Sequence, residues 1–241
     1  GGGFNFATNT GWKVLIKGIT FDNCDDPINF EYRNLEYGRY EIRDCIFNLC
    51  TGKAITIERR SCQSYIDGCT FRGCEKTAYV EDNDMFQFIN NWIECTSANP
   101  WGDNHYDVEQ YAPNEGSMIV EGNMFIPGHT QTGNNPCWIK AGRNAVIKHN
   151  RFSGENPSIH PLIVFYDNVA NFNVNSTIYP IIDFIDNPIV TGNCPILIDG
   201  SARGTINVKN NSGWAGGLPI MRTSSQEATT ALESLDYAFL T

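Results

Sequence analysis

The chain has 241 residues, of which 41% are hydrophobic and 18% charged, and its formal net charge at pH 7 is −10. This acidic balance argues against a nucleic-acid partner, because binding nucleic acid requires basic surfaces. The sequence contains no run of eighteen apolar residues, so we predict no membrane insertion. The length and apolar content predict one domain with a large core, and the start at Gly1 without a methionine suggests a piece of a longer polypeptide.

The N-terminal segment differs in composition from the rest of the chain. Residues 1–12 are rich in glycine, asparagine and aromatic residues. Because the open core at the end of a repeat protein must be covered, we expect residues 1–15 to form an N-terminal cap.

One short phrase then recurs about eight times along the chain. It consists of an apolar residue, a polar residue, a small residue or Asn/Asp, then Cys or Asn, and a large apolar residue two positions later. The copies begin at Ile16, Ile42, Ile66, Phe88, Val120, Ile147, Phe184 and Val208, with starts 22 to 37 residues apart. The shorter spacings suit one coil of three short strands, and the longer spacings suit the same coil with an inserted loop.

A second apolar strand follows each phrase, as in Ile55-Thr56-Ile57-Glu58 and Ala78-Tyr79-Val80-Glu81. Alternation at period two, β-branched and aromatic residues, and Gly or Pro at the boundaries indicate strands. The leucine spacing of leucine-rich repeats is absent. We therefore predict an all-β, single-stranded parallel β-helix of about eight coils over residues 16–222.

Several of the nine cysteines fall in register between copies of the phrase. Cys45 aligns with Cys69, and Cys50 with Cys74. Neighbouring coils lie about 4.8 Å apart, a little short of the usual Cα separation in disulfides. We predict a buried ladder of free thiols, with disulfides and a metal site as weaker alternatives, because CxxC and His-rich spacings are absent.

Asparagines occupy the Cys45 position in the later copies. We expect them to form a structural ladder of hydrogen bonds to one another and to the backbone. The members are Asn91, Asn123, Asn150, Asn187 and Asn211.

Acidic residues end the second strand of four successive coils: Glu31, Glu58, Glu81 and Glu109. In one interpretation they point into water, where salt screens their repulsion. In the other they line a groove that binds a glycan, since carboxylates one or two coils apart bracket the separations in glycosidases. The candidate catalytic pair is Glu58 and Glu81, with Asp82 or Glu109 as substitutes.

Two further groups of residues are candidates for binding the substrate. Arg59 and Arg60 lie beside Glu58 and offset part of the negative charge. The loop from Thr96 to Gly116 mixes aromatic rings, which stack on sugars, with polar groups that bind hydroxyls; its candidates are Trp101, His105, Tyr106 and Tyr111. The alternative is an ordinary surface loop. No metal ligands and no cofactor are predicted.

The C-terminal segment, residues 223–241, carries helix signals. Ser224-Ser225-Gln226-Glu227 is a capping box, and apolar residues from Ala228 to Phe239 recur at helical spacing. We predict an amphipathic helix that caps the last coil or joins sister chains.

The repeated turns, together with strands ending in I-x-I-E, resemble the right-handed β-helices of the pectate-lyase-like superfamily. The sequence IKGITFDNC at residues 16–24 is most similar to bacteriophage tailspike and tail-fibre proteins within it. The resemblance covers roughly residues 12–222. The aspartates and arginine of the lyases and the paired aspartates of polygalacturonases are not found, so the resemblance carries over no catalytic residue.

This resemblance implies a homotrimer in the virion tail, outside the cell, with other tail proteins as partners. It further implies that the chain binds and cleaves a bacterial surface glycan. The alternative is a receptor-binding or structural fibre segment without catalysis, and a free secreted polysaccharide lyase or hydrolase is a third hypothesis. Neither the host nor the sugar follows from the sequence.

Overall fold

The computed structural model describes the strands and the short turns between them. The described residues are 4–5, 13–30, 38–58, 62–74, 76–81, 83–94, 107–111, 117–126, 138–141, 144–153, 163–165, 181–190, 196–198, 205–211 and 220–222. All regular structure within these ranges is β-strand. Accordingly, they contain no helix that could span a membrane.

The described residues form twenty-four short strands. They are β1 (Phe4–Asn5), β2 (Lys13–Lys17), β3 (Thr20–Asp22), β4 (Ile28–Phe30), β5 (Gly38–Arg43), β6 (Ile46–Asn48), β7 (Lys53–Glu58), β8 (Cys62–Asp67), β9 (Thr70–Arg72), β10 (Lys76–Glu81), β11 (Met85–Ile89), β12 (Trp92–Glu94), β13 (Asp107–Tyr111), β14 (Ser117–Glu121), β15 (Met124–Ile126), β16 (Trp138–Ala141), β17 (Asn144–Lys148), β18 (Arg151–Ser153), β19 (Ile163–Phe165), β20 (Ile181–Ile185), β21 (Ile189–Val190), β22 (Ile196–Ile198), β23 (Thr205–Lys209) and β24 (Ile220–Arg222).

These strands form three parallel sheets, because each strand pairs with the strand at the same position of the next coil. Sheet A has the order β1-β4-β7-β10-β13-β16-β19-β22-β24, sheet B the order β2-β5-β8-β11-β14-β17-β20-β23, and sheet C the order β3-β6-β9-β12-β15-β18-β21. Residues 13–81 hold three successive turns, each with one strand in every sheet. The predicted all-β architecture of stacked parallel coils is confirmed.

Aromatic residues stack vertically on the inner face of sheet C. The rings of Phe21 and Phe47 have centroids 5.0 Å apart at an interplanar angle of 10°, and those of Phe47 and Phe71 are 4.8 Å apart at 5°. All three side chains are buried. The register Phe21↔Phe47↔Phe71 therefore places the sixth residue of the first three copies of the phrase in the core.

The asparagine ladder predicted from the phrase is present. The side-chain amides of Asn91, Asn123, Asn150 and Asn187 each donate to the side-chain oxygen of the asparagine one coil further on, and also to a backbone carbonyl. The contacts from Asn91 to Asn123 (3.1 Å) and from Asn123 to Asn150 (2.8 Å) show the pattern, and all five asparagines are buried. Both donors and the acceptor of a ladder amide are satisfied, which makes its burial tolerable.

The residue before each ladder position has a positive φ. These residues are Gly18, Asp44, Gly68, Asn90, Gly122, His149, Asp186 and Asn210, with φ between 52° and 68°. The left-handed region favours glycine and tolerates asparagine and aspartate. This backbone requirement accounts for the small or Asn/Asp residue at the third position of the phrase.

The predicted ladder of buried free thiols is confirmed at Cys45, Cys50, Cys69 and Cys74, whereas Cys24 is only partly buried. Cys24, Cys45, Cys50, Cys62, Cys69 and Cys74 are all free thiols. The Sγ of Cys69 donates to the carbonyl of Ile42 at 3.6 Å. A hydrogen bond to Cys45, together with burial, raises the pKa of Cys69, so this thiol stays protonated.

The remaining predictions about the ends fall mainly on undescribed residues. The predicted C-terminal helix at 223–241 lies outside the described residues. Of the predicted N-terminal cap, β1 adds a strand to sheet A, with Phe4 pairing Ile28. Strand β1 therefore extends sheet A by backbone pairing with β4.

Candidate functional site

A cleft of about 420 Å³ opens on the outer face of sheet A. Its lining combines two acids, two lysines, an amide, a hydroxyl and a backbone turn. The lining residues are Asp26, Asn29, Gly52, Lys53, Thr56, Glu58 and Lys76. Glu58, a candidate catalytic residue from the sequence, is therefore part of a real concavity.

The cleft is built by three strands in register. β4 pairs with β7, which places Asn29 opposite Thr56, and β7 pairs with β10, which places Thr56 opposite Tyr79. The same pairing places Lys53 opposite Lys76. Because neighbouring parallel strands lie about 4.8 Å apart, the backbones of the two lysines are separated by this spacing along the cleft.

The turn before β7 closes one end of the cleft. The Oδ1 of Asp26 accepts a hydrogen bond from the backbone N–H of Lys53 at 2.7 Å. Gly52 directly precedes Lys53 and has a φ of +66°. A Cβ at position 52 would stand 2.4 Å from Oδ1 of Asp26. Glycine is required here both by the backbone conformation and by the close approach of the carboxylate.

The side chain of Lys53, the first residue of β7, contacts that of Glu58, the last residue of the same strand. Its ammonium lies 3.7 Å from Oε1 of Glu58 and 3.6 Å from the centroid of the Tyr79 ring. The side chains of Lys53 and Glu58 are 31% and 27% exposed, so the pair is partly screened from water. The lysine therefore holds the Glu58 carboxylate against the wall of the cleft beside an aromatic ring.

The pairing of β7 with β10 places Glu58 directly opposite Glu81. This is the register predicted for the candidate catalytic pair. The predicted register of Glu109 is wrong, because Glu109 pairs with Tyr79 while Glu81 pairs with Tyr111. The strand β13 is therefore shifted by two residues relative to the predicted register.

Most other predicted site residues lie outside the described part of the chain. These are Glu31, Arg59, Arg60, Asp82, Trp101, His105 and Tyr106. The backbone of Tyr111 lies at the register position of Glu81, one coil further on. Within the described residues, the backbone of Tyr111 is thus the part of the predicted substrate-binding set that lies next to Glu81.

The sequence analysis missed six residues of the cleft: Asp26, Asn29, Gly52, Lys53, Thr56 and Lys76. The lysines carried a readable signal, because Lys53 precedes Glu58 by five residues and Lys76 precedes Glu81 by the same interval. Two repeats with a cation and an anion at equal spacing predict two parallel charged rows. Asp26 lies in a turn, and its carboxylate binds the backbone N–H of Lys53 on the next coil. A local sequence pattern does not predict such a contact between coils.

Within the described residues, no group of three or more His, Cys, Asp or Glu side chains is arranged to hold a metal ion. No protein-family model, curated protein or solved structure matches the chain.

Proposed function

We propose that the chain binds a bacterial surface polysaccharide along the outer face of sheet A and cleaves it, as a domain of a phage tailspike. The observation that carries the proposal is the cleft in which Glu58 is ion-paired with Lys53 beside the ring of Tyr79. Aromatic rings stack on sugar rings, while carboxylates, amides and ammonium groups bind hydroxyls. A parallel sheet repeats these groups along a straight line, which suits a linear polymer.

The proposed chemistry is glycoside hydrolysis by Glu58 and Glu81. Their Cα atoms stand one coil apart, about 4.8 Å by strand spacing. Retaining glycosidases hold their two carboxyl groups about 5 to 5.5 Å apart. One carboxyl group protonates the leaving oxygen and the other attacks the anomeric carbon, after which water releases the glycosyl group.

The test compares single variants of the two glutamates on purified bacterial capsules and O-antigens. Glu58→Gln and Glu81→Gln should each lower the release of reducing ends by at least about a hundredfold, since each removes one partner in acid–base or nucleophilic catalysis. Glu121→Gln is the matched control: this glutamate ends a strand of sheet B and pairs with Lys148 at 3.2 Å. Full activity in both test variants would refute the catalytic assignment.

A second candidate function is glycan binding without cleavage, in a receptor-binding or structural fibre segment. The ion pair between Lys53 and Glu58 favours it, because the carboxylate already has a cation as partner. Under this alternative, Glu58→Gln weakens polysaccharide binding and the wild-type chain releases no reducing ends.

We further propose the finer architecture that accompanies this function. The three described turns continue into a right-handed β-helix of about eight coils, closed by a C-terminal helix. Three chains assemble with other tail proteins in the virion, outside the cell. Light scattering should give a mass of three chains, and a mass of one chain would instead favour a free secreted lyase or hydrolase.

A further inference from the structure

A row of side chains on the outer face of sheet C has no role in the function proposed above. Strands β6, β9, β12 and β15 place Ile46, Thr70, Trp92 and Met124 in register. Trp92 is 42% exposed and Ile46 is 36% exposed. We call these four residues the Trp92 row.

Trp92 is held in place by polar neighbours. Its indole N–H donates to Oε2 of Glu94 at 3.4 Å, and the same oxygen lies 3.7 Å from Nε of Arg72. The indole is therefore anchored at its polar edge, while much of the ring stays in contact with solvent. A restrained aromatic ring loses little conformational entropy when a ligand stacks on it.

The dimensions of the row indicate a narrow occupant. Strands of sheet C have two or three residues, so the face is at most about 10 Å wide, and four coils span about 14 Å. This area, roughly 140 Å², is far below the ~800 Å² that each partner contributes to a stable protein–protein interface. A second protein would therefore find too little apolar surface for a dry core.

The side chains next to the Trp92 row indicate which class of ligand fits this face. A polar column runs beside the Trp92 row, two residues further along each strand. Its members are Asn48, Arg72 and Glu94, which lie in register with one another. They offer an amide, a planar donor and a carboxylate beside the apolar row. An aromatic face bordered by hydrogen-bonding groups in a line suits a chain of sugar rings, with their apolar faces on the row and their hydroxyls toward the polar column.

We infer that the outer face of sheet C is a second polysaccharide-binding surface centred on Trp92, with Arg72 and Glu94 as polar contacts. The inference rests on the ligand class of the proposed function, but it uses another sheet and other residues. One polymer could then contact two faces of the same coil, or two polymers could bind side by side.

The experiment starts from a panel of immobilised, purified capsular and O-antigen polysaccharides and the wild-type chain. For each polysaccharide that binds, hydroxyl-radical footprinting in its presence and absence measures oxidation at Trp92 and at Tyr79 separately. We expect oxidation of Trp92 to fall several-fold. Trp92→Ala should raise Kd roughly tenfold, and Trp92→Phe should restore part of the binding.

Leu15→Ala is the matched control, because Leu15 is an exposed apolar residue on sheet B. Protection of Tyr79 without protection of Trp92 would overturn this inference and leave the sheet A proposal standing. Protection of Trp92 alone would support the inference and refute the site on sheet A. If no polysaccharide of the panel binds, both are overturned.

Discussion

The side-chain oxygen of Asn150 accepts two hydrogen bonds from Asn123, one from its backbone N–H at 3.0 Å and one from its side-chain amide at 2.8 Å. The Asn150 amide in turn donates to the carbonyl of Val120 at 2.8 Å and to Asn187 at 3.1 Å. One buried side chain thus satisfies polar groups on three coils, and it links those coils in a single register.

Asn150→Ala should therefore destabilise the fold strongly. Each buried polar group left without a partner costs ~1–3 kcal/mol, and several are exposed to this penalty at once. We expect the free energy of unfolding, measured by urea denaturation, to fall by about 3 kcal/mol or more. Asn48→Ala, on the outer face of sheet C, is the control and should change it by less than about 0.5 kcal/mol. Equal effects of the two changes would show that the ladder does not stabilise the coils.

Cys69→Asn should extend the ladder by one coil. Cys69 lies in register between Cys45 and Asn91, and its N–H already donates to Oδ1 of Asn91 at 2.8 Å. An amide here can donate to the carbonyl of Ile42, which the Cys69 thiol contacts at 3.6 Å. We expect the free energy of unfolding to stay equal or to rise by up to about 1 kcal/mol.

The comparison for this change is Cys74→Asn. Cys74 is also buried, and its Sγ contacts the carbonyl of Phe47 at 3.4 Å. In the sequence, the equivalent position of the next copy is Thr96 and not an asparagine. An amide at position 74 therefore lacks the ladder partner that Asn91 offers at position 69, and we expect a loss of ~1–3 kcal/mol. The idea of an extendable ladder fails if Cys69→Asn is as destabilising as Cys74→Asn.

Gly52→Ala should lower the free energy of unfolding more than Gly18→Ala, although the two glycines have nearly the same φ. Their φ values are +66° and +68°, so both changes place a Cβ in the left-handed region, at about 1 to 2 kcal/mol. A Cβ at Gly18 meets nothing within 4 Å, whereas at Gly52 it would displace the Asp26 carboxylate from the N–H of Lys53.

We expect Gly52→Ala to lower the free energy of unfolding by about 2 kcal/mol more than Gly18→Ala, which is the typical contribution of a hydrogen bond to a charged group. It should also weaken polysaccharide binding, because the displaced carboxylate lines the cleft. Identical thermal and urea stabilities of the two variants would show that Asp26 does not brace this turn.

Glu41 should make the stability depend on pH. Its side chain, on the outer face of sheet B, is 7% exposed, and it contacts Lys13 at 3.4 Å and Arg43 at 3.0 Å as well as Nε of Arg39. Burial raises the pKa of Glu41, but the hydrogen bond from Arg39 and the three positive charges outweigh it, so the net pKa lies below its ordinary value of 4.5.

Because the folded pKa is depressed, the ionised carboxylate stabilises the fold above pH 4.5, and this contribution is lost as the pH falls through the folded pKa. Glu41→Gln should therefore be clearly less stable than the wild type at neutral pH, with a gap that narrows on acidification. Urea denaturation of both proteins at pH values above and below 4.5 measures this gap. A gap that is independent of pH would contradict the role of the charge.

The stacking of coils was open to prediction because it rests on a local pattern. The apolar first and sixth residues of the phrase, the turn residue between them and the ladder residue all repeat, and each has a physical requirement at its position. Ile42, Asp44, Cys45 and Phe47 show this, since they supply a core side chain, a left-handed turn, a ladder position and a stacked ring. The apolar and ladder positions among them were predicted, whereas the left-handed conformation of Asp44 and the ring stacking of Phe47 are seen only in the structure.

The candidate site was predicted less completely. Glu58 and Glu81 lie in the same register. This register could be predicted because β7 and β10 belong to successive coils without a long inserted loop between them. Lys53 and its contacts with Glu58 and Tyr79 were not predicted, because they depend on how a long side chain crosses the outer face of the sheet. A pattern of apolar and polar residues carries no information on that path.

The amino-acid sequence by itself determined which side chains face the core and that the strands stack in parallel, since burial imposes a period of two along every strand. The tertiary structure alone decided that Glu81 lies opposite Tyr111 and not opposite Glu109. A shift of two residues leaves the inward and outward faces unchanged, so both registers satisfy the same apolar pattern. Only the backbone pairing of the folded coils distinguishes them, and that pairing determines which groups line the proposed glycan-binding face.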